Sequence, residues 1–392
     1  MRIVDICEFY APEGGGVRTY VHAKLRAAAA AGHDMTIVAP GAADHVAVWP
    51  DGGRIITLKS PPLPFDRRYG MFWNTAPVHA LLDDLQPDVL EASSPWRGAW
   101  VAASWRGNAV RSLFMHHDPL SAFAYRWFDA MAPREAIDRQ FAWFWRYLQR
   151  MCAQYDTIVC AAPSLSARLK QGGIERTVTL PMGVDAGVFS PDLRDDDIRA
   201  GLLALCNLRR DATLALAVGR HTPEKRWPLV IDACTRVAAD HPLGLVLIGD
   251  GHQRGKTLAH IGDNPHVYAM APVRDRPLLA RILASGDLLL HGSAAETFGL
   301  VAAEAGASGL PLVLPDMGAA HDLAHDDHCE TYTAGDRKSA ADAIRRMLGR
   351  DQTALRAAAA ARATSARTLD EHFAELFAHY QTASRWPQGI AA

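Results

Sequence analysis

Lysine is scarce in this chain: of 41 basic residues only those at positions 24, 59, 170, 225, 256 and 338 are lysines. Cysteine is scarce too. Cys7, Cys152, Cys160, Cys206, Cys234 and Cys329 include no C-x-x-C pair, and so few in 392 residues build no disulfide framework. A reduced, cytoplasmic compartment is the expectation. Charge of either sign has no surplus. The net charge is −2, so no global field draws the chain to nucleic acid or acidic lipid, and no nucleic-acid partner is expected. No apolar run approaches the about 18 residues of a membrane-spanning helix. Met1–Ile6 carries an acid within its short apolar stretch, unlike a signal peptide. With 49% hydrophobic and 21% charged residues the composition is that of a globular protein, which excludes disordered and low-complexity classes.

What is present is an alternation. Short apolar runs at Arg2–Cys7, Met35–Val38, Arg54–Leu58, Val89–Ala92, Arg111–Met115 and Thr157–Cys160 are separated by helical patterns, the first at Val17–Ala31. The rhythm repeats at Leu214–Val218, Leu245–Ile248, Val267–Ala269, Leu288–Leu290 and Leu312–Leu314. Runs apolar on both faces suit parallel strands covered on both sides, and βα alternation implies doubly wound α/β sheets. Eleven strands are too many for one comfortable sheet, so two domains are expected. The charge-dense Pro191–Ala200 is the expected linker, giving domains over residues 1–190 and 201–369. The Ala-rich and then amphipathic tail, with a helix near 370–392, is expected to pack back on the first domain. Ligands of doubly wound sheets bind beyond the carboxyl ends of the strands, here in a cleft between the domains.

That filter selects four segments. In His291–Gly309 a strand is followed by Glu296-Thr-Phe298-Gly299-Leu300 and then Glu304 in apolar company. A helix beginning near Phe298–Gly299 would offer free N–H groups to an anion. A carboxylate such as Glu304 is costly to bury without donors, which ribose hydroxyls would supply; Glu296 is placed for the hydroxyls of a sugar. The alternative is a solvent-facing pair of glutamates. Gly219-Arg220-His221-Thr-Pro223-Glu224-Lys225 also follows a strand, and Arg220 and Lys225 there suit a diphosphate; a solvated helix start paired to Glu224 is the plainer reading. Pro12–Tyr20 contains Gly14-Gly15-Gly16 and Arg18 before the first helix, allowing close backbone approach to a ligand. Phe114-Met115-His116-His117-Asp118 ends a strand with two imidazoles and a carboxylate. Adjacent strand histidines face opposite ways, which argues against a metal. Gly249–Thr257 ends in Gly-Lys-Thr but has Asp250 where a P-loop needs glycine. Asp195-Asp196-Asp197 is read as a solvated run rather than a metal motif.

Together these segments resemble the retaining glycosyltransferases of family GT4, whose GT-B fold sets two Rossmann-like doubly wound domains face to face across an interdomain cleft. Glu296-x7-Glu304 is similar to the family's E-x7-E motif, and Gly219-Arg220 with Glu224-Lys225 to its G-R-x-x-x-E-K. Gly14–Gly16 resembles its N-terminal glycine loop, His117-Asp118 its H-D, and Pro181-Met182-Gly183-Val184-Asp185 its P-N-G-V-D. The resemblance implies that Arg220 and Lys225 bind the donor diphosphate and Glu304 the ribose. It implies that Glu296 and the amides of Phe298, Gly299 and Leu300 hold donor sugar and phosphate. Gly15 and Gly16 approach the β-phosphate, and His117 lies near the reacting carbon. Arg18, His116 and Asp118 are acceptor-side candidates. No metal or other cofactor is implied: front-face displacement from a GDP- or UDP-linked sugar, mannose marginally preferred, passes the hexose to a saccharide, glycolipid or other hydroxyl acceptor. Cell-envelope polysaccharide or glycolipid synthesis is the setting implied. Met182, Ala271 and Gly292 depart from the family pattern, the last two near the expected nucleobase and sugar pockets.

A nucleotide-sugar epimerase of the same architecture, or a non-catalytic sugar-nucleotide-binding protein, are the competing classes. The segment Tyr125–Met151 interleaves Trp127, Phe128, Phe141, Trp143, Phe144, Trp145 and Tyr147 with five arginines. One reading is a core-facing helix presenting Ile137, Phe141, Phe144, Leu148 and Met151. The other is a helix making reversible contact with the inner face of a membrane or with a lipid-linked acceptor.

Overall fold

The computed structural model describes residues 1–12, 16–50, 52–63, 69–116, 120 and 134–383, the side chains of residues 134 and 135 excepted. The candidates Gly15, His117 and Asp118, and the aromatic pair Trp127 and Phe128, lie outside them.

Eight strands form the first sheet: β1 (Arg2–Ile6), β2 (Asp34–Gly41), β3 (His45–Val48), β4 (Arg54–Lys59), β5 (Val89–Ser93), β6 (Val110–Met115), β7 (Thr157–Cys160) and β8 (Thr177–Thr179). Their order is β3-β4-β2-β1-β5-β6-β7-β8, parallel throughout except for the β3–β4 pair. Six form the second: β9 (Thr213–Val218), β10 (Leu243–Ile248), β11 (Val267–Met270), β12 (Leu288–Leu290), β13 (Leu312–Pro315) and β14 (Cys329–Tyr332). That sheet is all parallel, in the order β11-β10-β9-β12-β13-β14. Central strands such as β10 are buried along their whole length, as a parallel sheet covered on both faces requires. Helical residues such as Leu202, Leu283 and Ala305 cover one face of the second sheet, and Val230, Cys234 and Ile344 cover the other. All six cysteines are buried and unpaired.

The chain divides into two compact units, Met1–Met182 with the segment from Leu369, and Gly183–Thr368. The expected linker at Pro191–Ala200 is therefore displaced. Ser190 caps a short 3-10 turn at Pro191–Leu193, and Asp195 caps the helix Asp196–Leu205 by accepting the amides of Asp197 and Ile198. Asp195 also pairs with Arg281 at 2.6 Å. The acid run that looked like a linker is a helix start, where carboxylates meet the positive end of the dipole. The crossing lies instead where the Val184 amide donates to the Arg367 carbonyl at 2.9 Å, just inside the second unit at both ends.

The tail is two helices, Gln352–Ala363 in the second unit and Leu369–Ala383 in the first. The latter lies against the helix Gly16–Ala30, where the rings of Tyr20 and Phe373 are 5.1 Å apart. Beneath them is a buried ion cluster. Lys24 Nζ reaches Asp5 at 3.1 Å and Glu91 at 2.5 Å, all three side chains being fully buried. Ser93 Oγ donates to Asp5 at 2.8 Å, and the Tyr380 hydroxyl donates to Glu91. One ammonium faces two carboxylates, and burial raises the Asp5 carboxyl from its ordinary 3.8 to about 7.

The aromatic segment splits at Phe141 into the helices Arg134–Gln140 and Ala142–Cys152. Ile137, Phe144, Leu148 and Met151 enter the first unit's core, while Trp143 is 58% exposed. Trp145 is half-buried, with Arg168 over its ring at 5.2 Å. No helix among the described residues is long and apolar enough to cross a membrane.

Replacing Lys24 by Met leaves two buried carboxylates without their cation, a loss of about 3–5 kcal/mol. Thermal unfolding followed by circular dichroism at pH near 7.5 is expected to show a fall of roughly 10 °C. A carboxyl raised by folding contributes stability fully below its unfolded value and loses it as pH rises through its folded value. The deficit of Lys24→Met therefore narrows toward about pH 5.5 as the carboxyls take up protons; a deficit independent of pH would contradict this account.

Candidate functional site

Three loops at the carboxyl ends of β9, β12 and β11 carry the charged residues of the second unit. After β9 the chain passes Gly219 and Arg220, makes a 3-10 turn at Pro223–Lys225, and enters the helix Trp227–Ala238. The turn, rather than a direct helix start at Pro223, directs Lys225 back toward the strand ends. Its Nζ lies 2.5 Å from Glu296 Oε1, with both side chains mostly buried. Arg220 remains half-exposed, 3.8 Å from Glu224, and its carbonyl accepts the Trp227 indole N–H at 3.0 Å.

After β12 the chain passes through bends at Ala294, Thr297 and Phe298 to Gly299, whose φ of +82° is the left-handed conformation at the N-cap of the helix Leu300–Ala307. Phe298 is buried and Leu300 opens the helix. His291 Nε2 stands 3.5 Å from Glu296 Oε1, and the Tyr332 hydroxyl fixes the His291 carbonyl at 2.7 Å. Burial alone would raise the Glu296 carboxyl, but Lys225 and then His291 outweigh it and hold Glu296 well below the usual carboxylate range. Burial lowers His291, keeping that ring neutral near pH 7. Gly292 has a steric reason: a Cβ there would lie 2.4 Å from the Lys225 carbonyl. The absence of a side chain at Gly292 lets the two loops touch.

Glu304 is 2% exposed, on the buried side of the helix. Its partner, Arg276, did not emerge from sequence reasoning. Arg276 Nη1 lies 2.8 Å from Glu304 Oε1, and its Nη2 donates to Asp185 at 2.8 Å. The guanidinium stacks 4.9 Å over the Phe189 ring. Although the Arg276–Glu304 distance is short, Glu304 Oε1 accepts no aligned hydrogen bond from the described residues, so its acceptor capacity is open. Burial pushes the Glu304 carboxyl up to about 7, against the pull of Arg276. The same strand-end filter would have found Arg276, which opens the helix Arg276–Ser285 after β11. It was passed over because no motif contains it.

His221 lies within the Gly219–Lys225 segment, at a position that its motif leaves unspecified, so sequence reasoning gave it no role. It is fully buried, with neither ring nitrogen bonded among the described residues, and its ring packs 5.2 Å from Trp227. Burial lowers it, with Arg254 adding to that effect. Gly249–Gln253 is a turn before the helix Arg254–Ile261 and packs on the His221 backbone, not a P-loop.

In the first unit, Gly16 begins the helix Gly16–Ala30 and Arg18 is exposed on its first turn. His116 follows β6, its ring 4.8 Å from Tyr20 and 4.4 Å from Phe114. The structure thus brings Lys225, Glu296, Phe298, Gly299 and Leu300 together, sets Glu304 with Arg276 and Asp185, and leaves Arg220 at the rim. The arrangement offers cations and helix amides to an anion and two carboxylates of different basicity to hydroxyl groups.

Comparison with known proteins bears on what this site serves. The model of Glycosyltransferase Family 4 matches residues 14–188, and that of Glycosyl transferases group 1 matches residues 212–350. The GDP-mannose-dependent alpha-(1-6)-phosphatidylinositol dimannoside mannosyltransferase of Mycobacterium tuberculosis is 30% identical over 93% of this chain and 92% of its own. A GDP-mannose-dependent alpha-mannosyltransferase of the same species is 28% identical over 82% of this chain and 81% of its own. Among solved structures, sucrose-phosphate synthase from Thermosynechococcus elongatus superposes with a TM-score of 0.76 at 18% identity, covering 97% of this chain and 99% of that one. HepE of Anabaena in complex with UDP and glucose does so with a TM-score of 0.73 at 16% identity, covering 97% and 100%. These structures share the GT-B fold with this chain. Two glycosyltransferase models that match its two halves, and a relative similar over nearly its whole length, show that the chain is a glycosyltransferase and belongs to glycosyltransferase family 4.

Proposed function

We propose that the chain transfers mannose from GDP-mannose to a hydroxyl of a glycolipid or saccharide, with retention of configuration and without a metal. The observation that carries this reading is the buried Glu304 carboxylate with open acceptor capacity, in a chain similar over 93% of its length to a GDP-mannose-dependent enzyme. The pair of ribose hydroxyls supplies donors beyond the Arg276 guanidinium for the buried Glu304 carboxylate. Arg220 and Lys225 neutralise the diphosphate. Lys225 has three N–H donors and gives one to Glu296, leaving two for phosphate oxygens. The amides of Phe298, Gly299 and Leu300 add the helix start's positive end. Glu296, held ionised, accepts hydroxyls of the donor sugar. Gly15 and Gly16 approach the β-phosphate, His117 sits near the reacting carbon, and Arg18, His116 and Asp118 serve the acceptor side. In this scheme the departing phosphate takes the acceptor's proton on the same face, so no protein nucleophile is required, and cations with helix amides stabilise the developing charge. The exposed indole of Trp143 supports a peripheral lipid contact during use of a lipid-linked acceptor.

A thermal-shift panel tests the donor. GDP and GDP-mannose are expected to stabilise the wild-type chain more than UDP or ADP species, and Arg220→Ala to lose most of that shift. A UDP preference would overturn the donor assignment, and an unchanged shift in Arg220→Ala the diphosphate site. Lys225→Ala should lower kcat/KM roughly 100-fold. Mass spectrometry and anomeric NMR of the product distinguish a retained α-mannoside from an inverted one, or from epimerised donor.

The Glu304 carboxyl at about 7 predicts a pH dependence. Below that value the free protein holds Glu304 protonated with reduced acceptor capacity; above it the carboxylate is ready for ribose. GDP affinity should therefore rise roughly tenfold between about pH 6 and pH 8 beyond the nucleotide's own titration. Titration calorimetry should show that increment absent in Glu304→Gln, and its persistence there would refute the assignment. For the lipid contact, Trp143→Ala should reduce pelleting with anionic vesicles, whereas unchanged pelleting would remove that part of the proposal.

A further inference from the structure

A cavity of about 350 Å³ opens in the second unit at the end of its sheet away from the loops just described. Thr213 and Leu288, which begin β9 and β12, form part of its floor, and Arg194, Arg199 and Arg356 surround Asp287 at its side. The six residues of β9, Thr213–Val218, separate it from Gly219 by roughly 20 Å.

The charges in this cavity do not balance. Asp287 is 11% exposed and accepts Arg199 Nε at 3.1 Å and Nη2 at 2.6 Å, the amide of Leu214 at 2.8 Å, and Arg356 Nη2. Arg194 stands 3.7 Å away, its Nη1 donating to the carbonyls of Ala284 and Gly286. The remaining donors of Arg199 go to the carbonyls of Arg210 and Ala212. Three guanidiniums thus share one buried carboxylate. The next acids are solvated: Asp196, 3.5 Å from Arg194, and Asp211, which lines the cavity and pairs with Arg209. Asp287 compensates Arg199, which is raised above its ordinary value chiefly by that hydrogen bond. Arg356 is the one left short. Burial pulls it below its ordinary value against the attraction of Asp287, and the other two arginines pull it further. Its Nε and Nη1 are bonded to nothing among the described residues, while Asp287 takes its Nη2.

We propose that this cavity is a second binding site, separate from the donor site, for the phosphoryl group of inorganic phosphate or a phosphate monoester. The lining arginines Arg194, Arg199 and Arg356 outnumber the lining carboxylates Asp287 and Asp211 by one, and the tetrahedral oxygens of a phosphoryl group accept the paired N–H groups that a guanidinium presents. The volume exceeds what one phosphate needs and leaves room for a small esterified group. Bound there, the anion ties the Ala284–Asp287 turn to the helix Gln352–Ala363 through Arg356. The site does not depend on the donor or acceptor reading.

The test is a thermal-shift and calorimetric titration of the full chain with sodium phosphate and, separately, glycerol phosphate, each against sodium chloride of matched ionic strength. Phosphate is expected to raise Tm by about 3 °C once well above its dissociation constant. The shift should survive in Arg220→Gln, which disables the donor site, and disappear in Arg356→Gln. His241→Glu, on an exposed residue of the cavity wall, introduces repulsion without disturbing the core and should weaken binding at least tenfold. A larger effect of glycerol phosphate identifies an ester as the occupant, and an effect of phosphate alone identifies the free ion. No shift beyond chloride in the wild-type chain, or an undiminished shift in both Arg356→Gln and His241→Glu, overturns the proposal.

Discussion

A parallel sheet covered on both faces gives an unpaired charge nowhere inexpensive to sit. Inside it, each ion must be matched by an opposite one or shed its charge; at the strand ends it can wait for a ligand. The fold of this chain follows from that constraint. Lys24 is tolerated at the centre of the first unit because Asp5 and Glu91 face it and Tyr380 and Ser93 complete their hydrogen bonding. At the strand ends of the second unit the same rule produces the pairs Lys225–Glu296 and Arg276–Glu304. At the opposite end of that sheet it is met for Arg199 by Asp287 and for Arg194 by the solvated Asp196, and the shortfall at Arg356 is what marks the cavity there.

The two glutamates of the E-x7-E spacing are alike in sequence and unlike in state. Glu296 has an ammonium to itself with His291 beside it, and stays ionised despite burial. Glu304 shares one guanidinium with Asp185, and the partial share does not offset its burial. A carboxylate that is always charged suits steady acceptance of sugar hydroxyls. One poised near neutrality is driven toward its carboxylate by the arrival of hydroxyl donors, so in the proposed scheme recognition of the nucleoside end of the donor couples to proton release. The difference arises in the residues around the motif, above all Arg276, which the motif does not include.

That is also where sequence reading stopped. Eleven of the fourteen strands among the described residues are legible, because apolar runs such as Leu245–Ile248 are buried end to end. The three missed, β3, β8 and β14, are short; β3 is mostly exposed despite its run Val46–Val48, β8 is half-buried, and neither β8 nor β14 has a continuous apolar run to announce it. The acid run at Asp195–Asp197 looked like a linker because capping and solvation use the same residues. Lys225 and Glu296 were each legible as candidates, yet their mutual contact was not. It depends on the 3-10 turn at Pro223–Lys225 and on the missing side chain at Gly292, both matters of backbone approach. The long-range ion pair of Arg276 with Glu304 likewise requires the sheet order β11-β10-β9-β12, which no local pattern encodes.

Chain connectivity carries the electrostatic constraint into folding. The first unit closes with residues from both ends of the sequence, since Tyr380 donates to Glu91 and Tyr20 bonds His372 at 3.1 Å. His372 Nδ1 in turn meets the Pro181 carbonyl at 3.1 Å. A single neutral tautomer satisfies both contacts: Nδ1–H donates to the carbonyl and Nε2 accepts the tyrosine hydroxyl. The whole of Gly183–Thr368 is threaded between these partners. The second unit draws its own core from that continuous stretch and can close on its own residues, whereas Glu91 lacks its hydroxyl donor until the helix Leu369–Ala383 arrives. The buried ion cluster of the first unit is thus the last to be satisfied along the chain, and its completion requires the final helix.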